Sequence, residues 1–118
     1  MEIFNIYHIE AARRLPNLPE LHPCSRVHGH SFRIEIHVGG PVDPATGWVM
    51  DFAELDAAFA PVKAQLDHRY LNDVAGLDNP TSERLAQWLW QKLKPALPGL
   101  CRIVVRETHQ SGCIYTGD

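Results

Sequence analysis

The chain has 118 residues, 45% hydrophobic and 21% charged, which suits one packed domain over residues 1–118 and leaves too little for a second. A formal charge of −3 argues against a nucleic-acid binder, whose phosphate contacts call for a basic surface. No apolar run approaches the roughly 18 residues that span a bilayer, the opening residues lack the blocks of a signal peptide, and three cysteines do not make a disulfide framework, so a cytoplasmic, soluble, reduced protein without a membrane partner is expected.

Taken in order, a segment from about Ile3 to Ala11, rich in β-branched and aromatic residues, predicts a first strand. A loop marked by Pro16, Pro19 and Pro23 leads to Cys24. Phe32, Ile34, Ile36 and Val38 then alternate with Arg33, Glu35 and His37, the period of two of a strand with one buried face. Gly39-Gly40-Pro41 and Asp43-Pro44 supply the turn. Phe52, Leu55, Phe59, Val62 and Leu66 recur at helical spacing after a candidate cap, Asp51, with Glu54 three residues on. Pro61 lies inside this pattern and predicts a kink or a restart. A second helix is expected from Thr81 or Ser82 to Lys94, and strands at Ile103–Val105 and Ile114–Tyr115 flank a polar connection. The order ββααββ predicts an α+β fold, a four-stranded antiparallel sheet with two helices on one face. Such a small sheet has open edges, which self-association into a homo-oligomer would cover.

Five of the seven histidines fall between residues 8 and 37, and the informative run is Cys24-Ser25-Arg26-Val27-His28-Gly29-His30. Histidines at i and i+2 of a strand point to one side, about 6.6 Å apart along the backbone. Two imidazoles so placed can share a metal ion at about 2.0–2.1 Å, with zinc the favoured ion and Gly29 leaving room between them. They make half a site, and as exposed strand residues they would need no metal at all. Cys24 is open to two roles, a ligand or a reactive thiolate. Asp67-His68 can orient and activate an imidazole if the helix has ended there, and is otherwise a surface pair. Glu107 follows an apolar strand and reads on its own as a strand-end charge, while Cys101 and Cys113 read as small packing residues.

Six segments together resemble one family along essentially the whole chain. They are Glu10-Ala11-Ala12-x-Arg14-Leu15-Pro16, Cys24-x-x-x-His28-Gly29-His30, Gly47-Trp48-Val49-Met50-Asp51-Phe52-Ala53-Glu54-Leu55, Leu66-Asp67-His68-x-Tyr70-Leu71-Asn72, Asn79-Pro80-Thr81-Ser82-Glu83, and Glu107-Thr108 with Gly112-Cys113-Ile114-Tyr115. The sequence resembles the 6-pyruvoyl-tetrahydropterin synthase family, and within it the bacterial branch that makes 6-carboxy-5,6,7,8-tetrahydropterin on the queuosine route. The resemblance implies the tunnelling fold, in which sheets of three subunits close a barrel and two rings can stack. It implies 7,8-dihydroneopterin triphosphate as substrate, acetaldehyde and triphosphate as released products, active sites at subunit interfaces, and zinc held by three histidines. Zinc on the substrate's hydroxyls would polarise the adjacent C–H bond. By the same resemblance Cys24 is the proton-abstracting base, Asp67 and His68 form the proton relay, Glu107 anchors the pterin ring, and Thr81, Ser82 and Glu83 line its pocket. Cations for the triphosphate are sought among Arg14, Arg26 and Arg33.

One position departs from the pattern. The family's first zinc histidine falls at residue 13, which here is arginine. A guanidinium has no lone pair to give and stays charged, so it cannot ligate zinc. His8 has the wrong strand parity to replace it, and His22 and His109 lie in loops. Three readings stay open: zinc on His28, His30 and a substitute; positive charge from Arg13 in place of the metal; or a pterin-binding relative with impaired catalysis. Because every other motif is kept, pterin chemistry is the favoured reading, with a 6-pyruvoyl product as the alternative within the family. Zinc held more weakly than by relatives with a histidine at residue 13 is the expectation.

Overall fold

The computed structural model describes residues 1–118. Strand β1 (Glu2–Arg13) and strand β2 (His28–Gly39) pair antiparallel along their full length, from Glu2 opposite Gly39 to Arg13 opposite His28. Strict alternation fixes which side each residue takes. Ile9, Ala11 and Arg13 of β1 share the buried face with Phe32, Ile34, Ile36 and Val38 of β2. Glu2, Phe4, Ile6 and His8 occupy the open face with Arg33, Glu35 and His37.

Helix α1 (Phe52–Leu66) starts where Asp51 accepts a hydrogen bond from the backbone N–H of Ala53 at 2.9 Å. It runs unbroken through Pro61, so the expected restart does not occur. The proline sits on the exposed face, while Leu55, Phe59, Val62 and Leu66 hold the other against the core. Removing the cap in Asp51→Ala should lower stability by about 1 kcal/mol, read as a lower midpoint in urea with an unchanged slope. Helix α2 (Ser82–Leu93) begins at Thr81, whose hydroxyl accepts from the Arg84 N–H at 3.1 Å, and buries Leu85, Ala86, Trp88, Leu89 and Leu93. Strands β4 (Leu100–Arg106) and β5 (Gly112–Tyr115) complete the expected pair. A contiguous core of 21 buried residues joins both helices to one face of the sheet.

The fold class is as expected, with one element added. The sheet has five strands in the order β3-β1-β2-β4-β5, because Arg69–Tyr70 forms a short strand β3 parallel to Ala11–Ala12 at the edge. This edge is made by tertiary contact rather than by periodicity. Asp67 ends α1, and His68 takes a left-handed φ of 59°, uncommon for a residue other than glycine. The turn brings the His68 N–H to the Glu10 carbonyl at 2.6 Å and lays the next two residues beside β1. No helix is long and apolar enough to cross a membrane.

Candidate active site

The buried face of the sheet ends, on the side where β1 exits and β2 enters, in a cluster of polar groups. Arg13 is the last residue of β1 and is 2% exposed, an unusual depth for an arginine unless it is paired. Its Nη1 donates to the Pro80 carbonyl at 3.0 Å and its Nη2 to Oε1 of Glu107 at 2.5 Å. Its guanidinium carbon lies 5.2 Å from the ring centre of Phe32, a cation–π contact within the core. Ser82, at the first turn of α2, donates to the same Oε1 of Glu107 at 2.5 Å. Burial pushes the Glu107 carboxyl pKa up, but the Ser82 hydrogen bond and the Arg13 guanidinium outweigh it and hold the carboxyl below its usual range. Oε2 of Glu107 makes no hydrogen bond, and the side chain is partly exposed.

His28 and His30 lie on this same face, as the i and i+2 spacing predicts, with ring centres 4.8 Å apart and planes nearly perpendicular. Gly29 does not separate them. Its side-chain position is on the opposite face, where an added Cβ would meet only the Ala11 carbonyl oxygen at 4.0 Å. Nδ1 of His28 is 2.7 Å from the Arg26 carbonyl, which can only accept, so Nδ1 carries the proton. Nε2 of His28 then presents a lone pair, and it is buried without a partner. Nε2 of His30 stands 3.4 Å from Nη2 of Arg13, which can only donate, so its lone pair is turned on the guanidinium. Burial and the Arg13 charge push the His30 imidazolium towards deprotonation.

This donor set does not fit a three-histidine metal centre. The third position carries a cation, one imidazole lone pair faces that cation, and no three His, Cys, Asp or Glu side chains gather closely enough to share an ion. None of the candidate substitutes reaches it. His8 points to the open face, and His109 follows β4 in the connecting loop. His22 caps the short turn at Pro23–Ser25 through Nδ1, which accepts from the Cys24 N–H at 3.1 Å.

Cys24 sits half-buried in that turn, its carbonyl accepting from the Leu15 N–H at 2.9 Å, and its thiol makes no hydrogen bond. Asp67 and His68 do meet, since α1 has ended. Nδ1 of His68 is 3.1 Å from Oδ2 of Asp67, whose Oδ1 accepts from the Glu10 N–H at 2.9 Å. That backbone bond outweighs the cost of burial and, with help from the His68 ring, holds Asp67 below the usual carboxylate range. The His68 ring is 78% exposed and borders a cleft of about 490 Å³ that also touches His30, Gly29 and Tyr70. Ser82 bonds Glu107 and Thr81 caps the helix one residue before it, whereas Glu83 is on the exposed side of α2.

The three candidate arginines part company. Arg14 and Arg26 border a depression by the proline-rich loop, and Nε of Arg14 donates to the Ser25 carbonyl at 3.0 Å. Arg33 lines a polar depression of about 350 Å³ with His8, Arg106, His109, Thr108 and Glu107. Arg106, directly opposite Arg33 across β2 and β4, was not among the sequence candidates. Its signal was available: it immediately precedes Glu107 and has the strand parity of an open-face residue. Pro80 was also missed, because its part is played by a main-chain carbonyl.

A family profile described as 6-pyruvoyl tetrahydropterin synthase matches residues 2–118. The chain is 44% identical, over 96% of its length and 91% of the relative's, to a 6-carboxy-5,6,7,8-tetrahydropterin synthase of Synechocystis. It is 34% identical to the human 6-pyruvoyl tetrahydrobiopterin synthase, over 77% of this chain and 67% of that one. A solved Caenorhabditis elegans 6-pyruvoyl tetrahydropterin synthase superposes on it with a TM-score of 0.91 at 26% identity, covering 100% of this chain and 96% of the other. The profile match, the identities and the superposition agree, and the chain belongs to the 6-pyruvoyl tetrahydropterin synthase family.

Proposed function

We propose that the protein is a lyase that converts 7,8-dihydroneopterin triphosphate and water into 6-carboxy-5,6,7,8-tetrahydropterin, acetaldehyde and triphosphate, on the queuosine route. The observation that carries this reading is Glu107, an ionised carboxylate clamped through one oxygen by Arg13 and Ser82. Its free Oε2 is left to accept from the N–H edge of a pterin, a charge-assisted contact in a partly dry site. The 44% identity to a 6-carboxytetrahydropterin synthase supports the product, and the family match supports the substrate class.

Thr81 and Ser82 would flank the ring at the start of α2, with Glu83 at the outer rim. Cys24 would take the proton from the side chain of the substrate, and His68, oriented by Asp67, would return one. Family membership raises zinc on His28 and His30 as a cofactor question, but the donor set described above lacks a third ligand, and no step here runs through a metal. The exposed His68 ring and the apolar Phe4, Ile6 and Ile114 on the open sheet face support a homo-oligomer, a trimer or a pair of trimers, in which a neighbouring copy covers the cleft. A cytoplasmic, reducing location goes with the free thiols.

The test is incubation of the purified protein with 7,8-dihydroneopterin triphosphate, with the released aldehyde and the pterin identified by mass spectrometry. Acetaldehyde and a 6-carboxy pterin are expected. A 6-pyruvoyl product would move the chain to the other branch, and tight pterin binding without turnover would make it a binding relative. Arg33 and Arg106 would hold the triphosphate. Removing either in Arg33→Ala or Arg106→Ala should raise KM about tenfold, the worth of one charge-assisted hydrogen bond. kcat should stay within about twofold, and the gap should narrow as salt is added.

A further inference from the structure

Two polar atoms at the site are buried without partners, Nε of Arg13 and Nε2 of His28, and no other side-chain nitrogen or oxygen in the chain shares that state. The residues that carry them are directly opposite each other across β1 and β2. Their chemistry is complementary. Nε of Arg13 is a donor, and Nε2 of His28 is an acceptor because Nδ1 holds the ring proton on the Arg26 carbonyl. Leaving such groups dry and unpaired costs about 1–3 kcal/mol each, so a folded protein that keeps both has a use for them. A group that accepts from one and donates to the other satisfies both at once, and a hydroxyl does so. The rest of the guanidinium is not free to turn away, since Nη1 and Nη2 are pinned by Pro80 and Glu107.

We propose that the fixed cation of this active site is the Arg13 guanidinium rather than a metal ion, and that Arg13 Nε–H and His28 Nε2 together receive a side-chain hydroxyl of the bound pterin. This rests on the pterin reading above. The hydroxyl then accepts a hydrogen bond from a permanently charged donor and donates one to the Nε2 lone pair of His28. The guanidinium thereby fixes the side chain next to the carbon from which the proton leaves.

The experiment has two arms, each with its own readout. Metal content is measured on the natural chain and on Arg13→His, after dialysis against a chelator and after back-titration with zinc against a chromogenic competitor. The natural chain should hold no stoichiometric zinc, and Arg13→His should take up about one equivalent per chain with affinity raised about 10²-fold or more, as a third imidazole completes the set. One equivalent of zinc surviving chelation in the natural chain overturns the guanidinium assignment.

In the second arm, binding of 7,8-dihydroneopterin and of 6-methyl-7,8-dihydropterin, which lacks side-chain hydroxyls, is measured by fluorescence in chelator. The natural chain should prefer the hydroxylated ligand about tenfold or more, and Arg13→Lys, which keeps the charge but has no Nε–H at that place, should lose the preference. Equal affinity of the natural chain for both ligands overturns the hydroxyl contact and leaves the pterin reading standing. Binding of neither overturns both.

Discussion

Replacing Glu107 with glutamine should lower the melting temperature on the order of 10 °C and reduce kcat/KM about 10²-fold. Arg13 is 2% exposed and its only acidic partner is Glu107, so the substitution leaves a cation in the interior with no counter-charge. Removing one member of a buried pair costs about 3–5 kcal/mol. The 30% exposure of Glu107 lets water screen part of that, and about 2–3 kcal/mol is the expected loss for a chain of this size. Glutamine keeps the shape and an acceptor for Ser82, so the change isolates charge. The pairing is checked by Glu107→Gln with Arg13→Met, which should recover most of the lost melting temperature and none of the activity. A pH series gives an independent reading. The Glu107 carboxyl titrates lower in the folded chain than in the unfolded one, so its contribution is complete above the ordinary value of about 4.3 and fades as pH falls through the folded value. Glu107→Gln should flatten that acid limb. An unchanged melting curve in the single variant would show that Arg13 finds its compensation elsewhere.

Cys24→Ala should cut kcat by about 10² to 10⁴, the usual worth of a positioned proton acceptor, with KM within about threefold. The thiol lies in a short turn outside the hydrophobic core and makes no hydrogen bond, while the turn itself is held by backbone bonds to Leu15 and His22. Removing one sulfur there should change stability by no more than about 0.5 kcal/mol. Melting and turnover measured on the same sample separate the chemical role from a structural one. Loss of turnover in step with loss of melting temperature would make Cys24 a packing residue.

How much of this was legible in the sequence differs from element to element. Strand β2 announced itself by alternation and both helices by spacing and caps, because those signals are local. The placement of His28 and His30 on one face followed from parity alone. Strand β3 was not legible, since two residues have no period, and Arg69–Tyr70 becomes a strand only because the left-handed turn at His68 delivers it to β1. Continuity through Pro61 was decided by the four buried positions of the helix rather than by the missing N–H. At the site, the sequence exposed Arg13 as chemically unable to ligate a metal, yet gave no hint that Glu107, 94 residues away, would hold it. Glu107 looked like a strand-end charge because its partners come from β1 and α2. Pairings of that kind are settled by tertiary geometry, which no short window contains.

The depth at which Arg13 is held has a further consequence for how the site comes into being. A charge that is part of the polypeptide is present as soon as folding is complete. It needs no delivery and is not stripped when divalent ions become scarce. With the guanidinium as the site's cation, as proposed above, maturation has one step instead of two.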